Sequence, residues 1–330
     1  MRVASDALVR ALADGEPHSG ADLAREFDVT RAAISKAMRK LASWDLDASA
    51  QRGVGYRLAR PIDLHDSRAL RRALAPRTVG RISRLEVLWE VDSTNRHLLA
   101  SPPPPAGELA VCLAEFQRAG RGRRGRRWRA PLGSGLCLSV AWQFATAPRD
   151  LAALTLAVGV VARRAVAEVA GLEVALKWPN DLALDERKLG GILLELAAEA
   201  QGRCHVVAGV GINVSLPPAS LATLSDWPRG AIDLATAKRG APPPRSRLAA
   251  RLIDGLADLF AAYAESGFAP YSAEWRAADF LNGRRVQLDD SAVSATGIAR
   301  GIDGDGALLI ETAGGARRRV LSGDVSVRST

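Results

Sequence analysis

The apolar residues near the N-terminus recur with the period of short helices. Two pairs lie four residues apart, and these are Leu8 with Leu12 and Leu23 with Phe27. Ser19 precedes the second pair and Thr30 precedes a third apolar series, so each can cap a helix. That series follows one helix face through Ile34, Ala37, Met38 and Leu41. Three short helices with tight connections predict a helix-turn-helix domain in residues 1–62.

The third predicted helix carries an unbalanced positive charge, because it has no acidic residue between positions 31 and 40. Beyond it, residues 51–58 contain a Gly-x-Gly turn and are expected to form a hairpin that acts as a wing. A cationic helix beside a wing favours DNA binding, with that helix in the major groove. A small helical bundle whose charges only face water is the alternative. The candidate DNA-binding residues are Ser19, Thr30, Arg31, Ser35, Lys36, Arg39 and Lys40.

From about residue 63 the pattern changes to that of strands, interrupted by one long apolar helix. The strand-like runs are 109–116, 135–144, 173–178, 191–197 and 204–214. A capped helix is expected from Asp150 to Ala170, and because it is apolar on nearly every side it should pack across a sheet. Residues 63–280 are therefore predicted to form an α+β domain.

The pattern changes again from Leu281 onwards. Short apolar strands alternate there with Asn-Gly, Asp-Gly and Gly-Gly turns. Residues 281–330 are therefore predicted to form a small SH3-like β-barrel. The chain as a whole is expected to be an α+β multidomain protein with a winged helix-turn-helix at its N-terminus.

The composition indicates which kind of partner the protein binds and in which cellular compartment it works. The formal net charge of +9 favours an anionic partner such as nucleic acid or phosphate. The three cysteines, Cys112, Cys137 and Cys204, are far apart and form no C-x-x-C pair, so neither a disulfide nor a metal site is predicted. The longest apolar run, 151–162, is shorter than the roughly 20 residues of a membrane span. We expect a cytoplasmic protein with no membrane attachment.

Residues 118–129 contain seven arginines. Within them GRGRRGRRW (120–128) has the G-x-G-x-x-G spacing of a dinucleotide site, but Trp128 and Pro131 prevent the helix that such a site requires. Arginine-rich RNA-binding segments are usually terminal and disordered, whereas this loop lies between two predicted strands. The glycines and guanidinium groups favour a flexible loop that closes over a phosphate. Residues 118–129 are here named the arginine flap. A plain solvated loop is the alternative.

Five motifs, in this order, resemble those of the biotin protein ligases. They are DSTN (92–95), Gln117 with GRGRRGRRW, KWPNDL (177–182), RKLGGILLE (187–195) and GVGINV (209–214). The N-terminal helices and GVGYRL (53–58) further resemble the bifunctional members that also repress the biotin operon. The chain departs from the common family pattern at Gly190 and Gly135, which bears on the fine shape of the biotin pocket.

The resemblance implies that biotin and ATP form biotinyl-5′-AMP, and that the biotinyl group then passes to a lysine of the biotin carboxyl carrier protein of acetyl-CoA carboxylase. It implies catalytic roles for Lys188, Arg123 and Asp181. The biotin-binding candidates are Ser93, Thr94, Asn95, Gln117, Arg121, Gly122, Arg123 and Lys188. The candidates for ATP and the adenylate are Arg121, Arg124, Arg126, Trp128, Lys177, Asn180, Asn213 and Arg328. Mg²⁺ is expected to arrive on the phosphates of ATP rather than at a protein metal site.

Biotin operator DNA is the second partner that the resemblance implies. Ordering of the arginine flap by the adenylate is expected to favour a homodimer, which presents two winged domains to two half-sites. Two other hypotheses are a ligand-sensing repressor without ligase activity and a lipoate or octanoyl transferase. Lys188 together with the complete flap argues against the first, and the biotin-type sequence GRGRRGRRW argues against the second.

Overall fold

The computed structural model describes residues 5–51, 53–148, 150–198, 203–223, 227, 229–289, 295–321 and 323–327. These residues form a helical N-terminal part with a two-stranded hairpin, a seven-stranded sheet and a five-stranded sheet. Among the described residues, no helix has both the length and the apolar character needed to cross a membrane.

The N-terminal part is the predicted winged helix-turn-helix. Its elements are α1 (Ser5–Ala11), α2 (Gly20–Glu26), α3 (Arg31–Leu41), β1 (Ala48–Gln51) and β2 (Gly55–Leu58). Both predicted caps are confirmed, because the Ser19 hydroxyl accepts the N–H of Ala21 and the Thr30 hydroxyl accepts the N–H of Ala33. The antiparallel pairing of β1 with β2 forms the predicted wing beside α3.

The core of this N-terminal part includes residues from beyond position 62. Phe116 and Leu132 are buried in the same apolar cluster as Leu8, Ile34 and Trp44. The N–H of Leu132 also donates to the carbonyl of Trp44 over 3.0 Å. The winged domain and the central sheet therefore share one desolvated surface, and a cut between them would expose apolar area on both sides.

The seven-stranded sheet forms the centre of the molecule, after α4 (Ser67–Ala73) and α5 (Pro76–Val79). Its strands are β3 (Ile82–Val91), β4 (Leu109–Gln117), β5 (Gly135–Phe144), β6 (Ala175–Lys177), β7 (Asp181–Leu184), β8 (Arg187–Ala198) and β9 (Cys204–Asn213). They are ordered β3-β4-β5-β9-β8-β7-β6. The pair β3 and β4 is parallel and is connected through α6 (Thr94–Leu99), whereas the other neighbouring strands are antiparallel.

Helices cover the sheet as the apolar pattern predicts. The remaining helices are α7 (Leu154–Ala170), α8 (Pro218–Thr223), α9 (Leu234–Lys238), α10 (Arg245–Ser266) and α11 (Ala269–Ala277). The apolar helix is confirmed as α7, which shares the main buried core with α10. The expected cap at Asp150 is wrong: a 3-10 turn precedes α7, and the Asp150 carboxylate instead accepts the N–H of Phe268. Asp150 thus fixes the junction after α10 rather than the start of α7.

The C-terminal strands form an antiparallel sheet. They are β10 (Arg285–Asp289), β11 (Ala295–Ile302), β12 (Leu308–Glu311), β13 (Arg317–Val320) and β14 (Asp324–Val327), in the order β13-β12-β11-β10-β14. The closed barrel that we expected is not formed by the described residues, in which β13 and β14 remain separate edges. The exposed side chains of Arg317, Arg318 and Arg319 explain why β13 keeps a free edge, since charged edge strands oppose further pairing.

This sheet packs directly on the central domain. Gly306, at φ +81°, sits so close to α7 that a Cβ there would lie 2.8 Å from a methyl of Leu156. The indole N–H of Trp178 donates to the carbonyl of Gly306 over 3.0 Å. Because both terminal parts share apolar cores with the central sheet, the boundaries at residues 62 and 280 stay predictions.

A buried ion pair connects four segments of the chain. Arg245, 1% exposed at the start of α10, lies 2.8 Å from the carboxylate of Glu115 on β4. Its guanidinium also donates to the carbonyls of Gly135 and Asp63, and the second oxygen of Glu115 accepts the N–H of His65. Burial, followed by the nearby Arg245 charge, holds the pKa of His65 well below its usual value, so this imidazole stays neutral.

We predict that Glu115→Leu lowers the free energy of unfolding by about 3–5 kcal/mol, because it leaves the guanidinium of Arg245 buried without its counter-charge. The double variant Glu115→Leu/Arg245→Leu should recover part of this loss. Urea denaturation followed by circular dichroism measures both. As a control, Asp258→Ala removes the exposed pair with Arg77 and should leave the midpoint nearly unchanged. A double variant no more stable than the single one would contradict the prediction.

Candidate active site

A cleft of about 620 Å³ opens beside α6 and beneath the arginine flap. Residues from the ends and middles of several strands meet there, including Gln117 of β4, Cys137 of β5, Lys188 of β8 and Gly209 of β9. The cleft therefore combines a rigid sheet floor with one loop that forms its roof.

Two glycines of β9 make this floor flat enough for large polar side chains. A Cβ at Gly209 would lie 2.2 Å from Oδ1 of Asn95, and a Cβ at Gly211 would lie 2.6 Å from the indole ring of Trp128. Both distances are far inside van der Waals contact, so any side chain at either position would displace its neighbour. The glycines of GVGINV thus allow Asn95 and Trp128 to lie directly on the strand.

An uncharged hydrogen-bonded group, here named the amide–hydroxyl cluster, consists of Thr94, Asn95, Gln117 and Ser139. The first three line one end of the cleft, and the buried Ser139 supports them. The backbone N–H of Thr94 donates to Oε1 of Gln117 over 2.8 Å. The Ser139 hydroxyl lies 2.7 Å from Oγ1 of Thr94 and 2.6 Å from Oδ1 of Asn95. Ser93 lines the cleft next to this cluster. Such a group can recognise a neutral polar ligand through donors and acceptors.

A cation held by an acid lines the cleft near the start of β8, whereas Asn95 contacts the same strand further along, at Leu193. Nζ of Lys188 is 3.2 Å from Oδ1 of Asp181, and both side chains are largely buried. Oδ2 of Asp181 accepts the indole N–H of Trp227 over 3.0 Å, and the Trp227 ring lies 4.2 Å from Nζ of Lys177. Lys188 is also fixed through its backbone, whose N–H donates to the carbonyl of Gly230. The ammonium group is therefore placed at a defined point of the cleft.

The arginine flap folds as a short hairpin. The N–H of Gly122 donates to the carbonyl of Arg126, and the N–H of Trp128 donates to that of Gly120. At the tip, Arg124 has a left-handed backbone with φ +53°. The Arg123 guanidinium lies 3.5 Å from Oδ1 of Asn180 and 3.4 Å from the carbonyl oxygen of Gly323. The flap thus extends from the cleft to the C-terminal sheet.

Most of the predicted site residues meet in this cleft. Those that line it are Ser93, Thr94, Asn95, Gln117, Arg121, Gly122, Arg123, Arg126, Trp128, Asn180, Asp181 and Lys188. Lys177, Arg124 and Asn213 are not among the lining residues, and Arg328 lies outside the described residues. Asn213 is 1% exposed and donates to the carbonyls of Ile232 and Lys188, which supports the strands around the lysine. The individual roles stay predictions.

The structure adds residues that the sequence analysis did not select. Arg127 and Cys137 line the cleft, Ser139 completes the amide–hydroxyl cluster, and Trp227 holds Asp181. A single hydroxyl in the otherwise apolar run GLCLSV was a usable signal for Ser139. Trp227 carries no such signal, because it is 46 residues from Asp181 and outside every motif.

The predicted DNA-binding residues are not equivalent in the structure. Arg31, Lys36, Arg39 and Lys40 are exposed on α3, with Nζ of Lys40 5.0 Å from the Trp44 ring. The hydroxyls of Ser19 and Thr30 serve as helix caps, and Ser35 is half-buried. A groove of about 850 Å³ lies between the start of α2, Arg31 and the wing.

Three family models match successive parts of the chain. The HTH domain model matches residues 5–57, the Biotin/lipoate A/B protein ligase family model matches residues 90–213, and the Biotin protein ligase C terminal domain model matches residues 282–328. The chain is 37% identical over 325 residues to the bifunctional ligase/repressor BirA of Salmonella typhimurium, covering 98% of this chain and 97% of that protein. The chain belongs to the biotin protein ligase family. This confirms the resemblance based on the five motifs and the helix-turn-helix.

Further proteins that are similar to this chain are also biotin ligases. The biotin--[acetyl-CoA-carboxylase] ligase of Mycobacterium tuberculosis is 34% identical over 263 residues, covering 77% of this chain and 94% of that one. Among solved structures, the biotin protein ligase from Aquifex aeolicus in complex with biotin and ATP is similar with a TM-score of 0.62 and 27% identity, covering 75% of this ligase and all of that chain.

The cysteines of this ligase should be unreactive in the native state. Burial raises the pKa of Cys137 to about 11 and that of Cys112 to about 12, so both thiols stay protonated at pH 8. We predict that Ellman's reagent at pH 8 modifies these two side chains only slowly in the folded protein and completely in guanidinium. Mass spectrometry of the labelled peptides identifies the sites. Rapid native labelling of Cys137 would show that the floor of the cleft opens.

Proposed function

We propose that this ligase uses ATP to activate biotin as biotinyl-5′-AMP and transfers the biotinyl group to a lysine of the biotin carboxyl carrier protein of acetyl-CoA carboxylase. One observation carries the proposal: Lys188, held by Asp181, faces a cleft that has an uncharged polar cluster at one end and an arginine flap as its roof. The biotin and ATP complex of the Aquifex relative supports the same ligand pair.

The amide–hydroxyl cluster suits the ureido ring of biotin, which is neutral and has both donors and acceptors. Thr94, Asn95 and Ser139 are buried, so a matching ligand gains hydrogen bonds in a site of low water content, and a mismatched one leaves buried groups unpaired. The glycine at position 209 lets Asn95 of this cluster lie directly on β9. This end of the cleft therefore sets ligand identity.

Activation brings two anions together, so the other end must supply positive charge. A carboxylate oxygen of biotin attacks the α-phosphorus of ATP, and pyrophosphate leaves. Lys188 and the flap residues Arg121, Arg123 and Arg126 can offset the repulsion and stabilise the charge that develops on the phosphate oxygens. Asp181 holds the Lys188 ammonium in place, while Trp227 holds Asp181 in place.

Transfer needs no covalent intermediate on the protein. The ε-amine of the carrier lysine attacks the carbonyl carbon of the mixed anhydride, AMP leaves with its phosphate, and the amine loses a proton. Mg²⁺ is proposed to enter on the phosphates of ATP. Asp181 is the one carboxylate among the described residues that line the cleft, and its oxygens already contact Lys188 and Trp227.

We further propose that the winged domain represses the biotin operon from the cytoplasm. The exposed basic side chains of α3 suit phosphate and base-edge contacts in the major groove, and the wing lies beside them. A homodimer that forms when the adenylate is bound would present two such domains to two half-sites. The names of the bifunctional relatives support this second role.

Lys188→Ala should slow adenylate formation by roughly tenfold to a hundredfold or more, because it removes a charge-assisted contact from the developing phosphate charge. Pyrophosphate release with biotin and ATP measures this rate, and Lys238→Ala, at an exposed position on α9, is the matched control. Near-normal release by folded Lys188→Ala would refute the assignment. A wild-type protein that binds biotin but releases no pyrophosphate would instead be a ligand-sensing repressor.

Arg31→Glu/Lys36→Glu should abolish operator binding and leave pyrophosphate release intact, because both side chains are exposed on α3. Loss of phosphate contacts also makes residual binding less dependent on salt, by about 1 unit of the log–log slope for each contact. The control is Lys238→Glu/Arg276→Glu, which makes the same charge change on exposed positions of other helices. Electrophoretic mobility shifts at two salt concentrations measure both variants. Equal loss of binding in the control would mean that only net charge matters.

The same titration with and without biotin plus ATP, alongside sedimentation of the samples, tests the proposed dimer. We expect tighter operator binding and a larger species when both substrates are present, with a coupling of about 1–3 kcal/mol. A ligand-independent monomer with unchanged DNA affinity would reject the dimer and leave the ligase proposal standing.

A further inference from the structure

Glu195 contacts both the flap and the amide–hydroxyl cluster but does not line the cleft. It lies on β8 with a side chain that is 18% exposed. Its Oε1 is 2.9 Å from the Nη1 of Arg121 in the arginine flap, and its Oε2 accepts the side-chain amide of Asn95 over 3.0 Å. The two oxygens of one carboxylate thus connect the arginine flap to the amide–hydroxyl cluster.

These contacts belong to a continuous series of polar side chains. From Glu195 the series runs through Asn95 to Ser139, then to Thr94 and Gln117, each step being a hydrogen-bond distance of 3.2 Å or less. Gln117 is the last residue of β4 and directly precedes the flap segment. The series therefore joins Arg121 in the flap, through Glu195, to the strand end from which the flap begins.

Glu195 also determines which way the Asn95 amide points. The Asn95 Nδ2 donates both to Glu195 and to the carbonyl of Leu193, and this leaves Oδ1 facing Ser139 and the floor at Gly209. Asn95 is 3% exposed. A reversed amide would turn its oxygen toward the Glu195 carboxylate and the Leu193 carbonyl, which are both hydrogen-bond acceptors. The carboxylate thus sets the acceptor that the cluster presents.

We infer that Glu195 is a positioning residue that latches the arginine flap through Arg121 while orienting Asn95, so that occupancy of the amide–hydroxyl cluster is coupled to flap closure. The identity of the occupant, biotin, rests on the proposed function. The latch itself does not, because both of its contacts join side chains of this chain to one another.

The test uses trypsin on the full-length protein, since the flap offers its own cleavage sites. Cleavage after Arg124, at the exposed tip, reports flap opening. Glu195→Gln retains a carbonyl oxygen for Asn95 but places an NH₂ group against Arg121. It therefore removes the contact with the flap and keeps the contact with the cluster. We expect ligand-free cleavage after Arg124 to rise about two- to fivefold, the range for a partly exposed ion pair.

Arg121→Gln should give the same rise, and Arg121→Gln/Glu195→Gln no further rise, because both changes remove one interaction. The control is Glu173→Gln, which removes an exposed ion pair with Arg163 away from the flap. Melting temperatures of all variants separate flap opening from general destabilisation. Wild-type cleavage in both single variants, or additive effects in the double, would overturn the latch.

The coupling is tested by adding biotin without ATP. Biotin should slow cleavage after Arg124 in the wild type, and this protection should shrink in Glu195→Gln even at biotin concentrations that calorimetry shows to be saturating. Equal protection in both proteins would overturn the coupling. A wild-type protein that binds no biotin would reject the proposed function, and the ligand-free comparison would still decide whether the latch exists.

Discussion

The buried charge of Arg245 is the interaction on which the geometry of the site depends. Its partner Glu115 lies on β4 two residues before Gln117, and one of its two carbonyl acceptors belongs to Gly135, the first residue of β5. These two strands are the stems of the arginine flap. A guanidinium excluded from water must retain its acceptors, so both stems are held at a fixed separation whatever the flap does.

A rigid base and an adjustable tip follow from this arrangement. The base is held by desolvated charge and by the apolar burial of Phe116 and Leu132, whereas the tip at Arg124 and Gly125 is exposed to solvent. The positive charge of the flap is partly balanced by Glu195, just as that of Lys188 is balanced by Asp181. The cleft is thus cationic without being an array of unopposed charges, which limits the repulsion among its cations.

The sequence was sufficient for features that depend on local chemistry. Ser19 and Thr30 cap helices because their hydroxyls reach nearby N–H groups, and the apolar series of α3 and α7 require burial. It was insufficient where distant segments meet. Arg245 resembles a surface arginine until Glu115 lies beside it, Asp150 resembles a cap until Phe268 reaches it, and Glu195 acquires a partner only when β8 passes beneath Asn95. The prediction of a closed barrel is not met by the described strands for a related reason, because turn spacing predicts strands but not whether their edges meet.

The apolar core of the winged domain contains residues that lie far beyond the end of that domain in the sequence. Leu132, which closes that core and holds the carbonyl of Trp44, belongs to the segment that leads from the flap into β5. A chimaera that exchanged residues 1–62 for another winged domain would therefore remove the apolar partners of Phe116 and Leu132 at the base of the arginine flap. A successful graft would have to supply matching apolar residues and a carbonyl for the N–H of Leu132, so editing the exposed surface of α3 disturbs the cleft less than replacing the whole module.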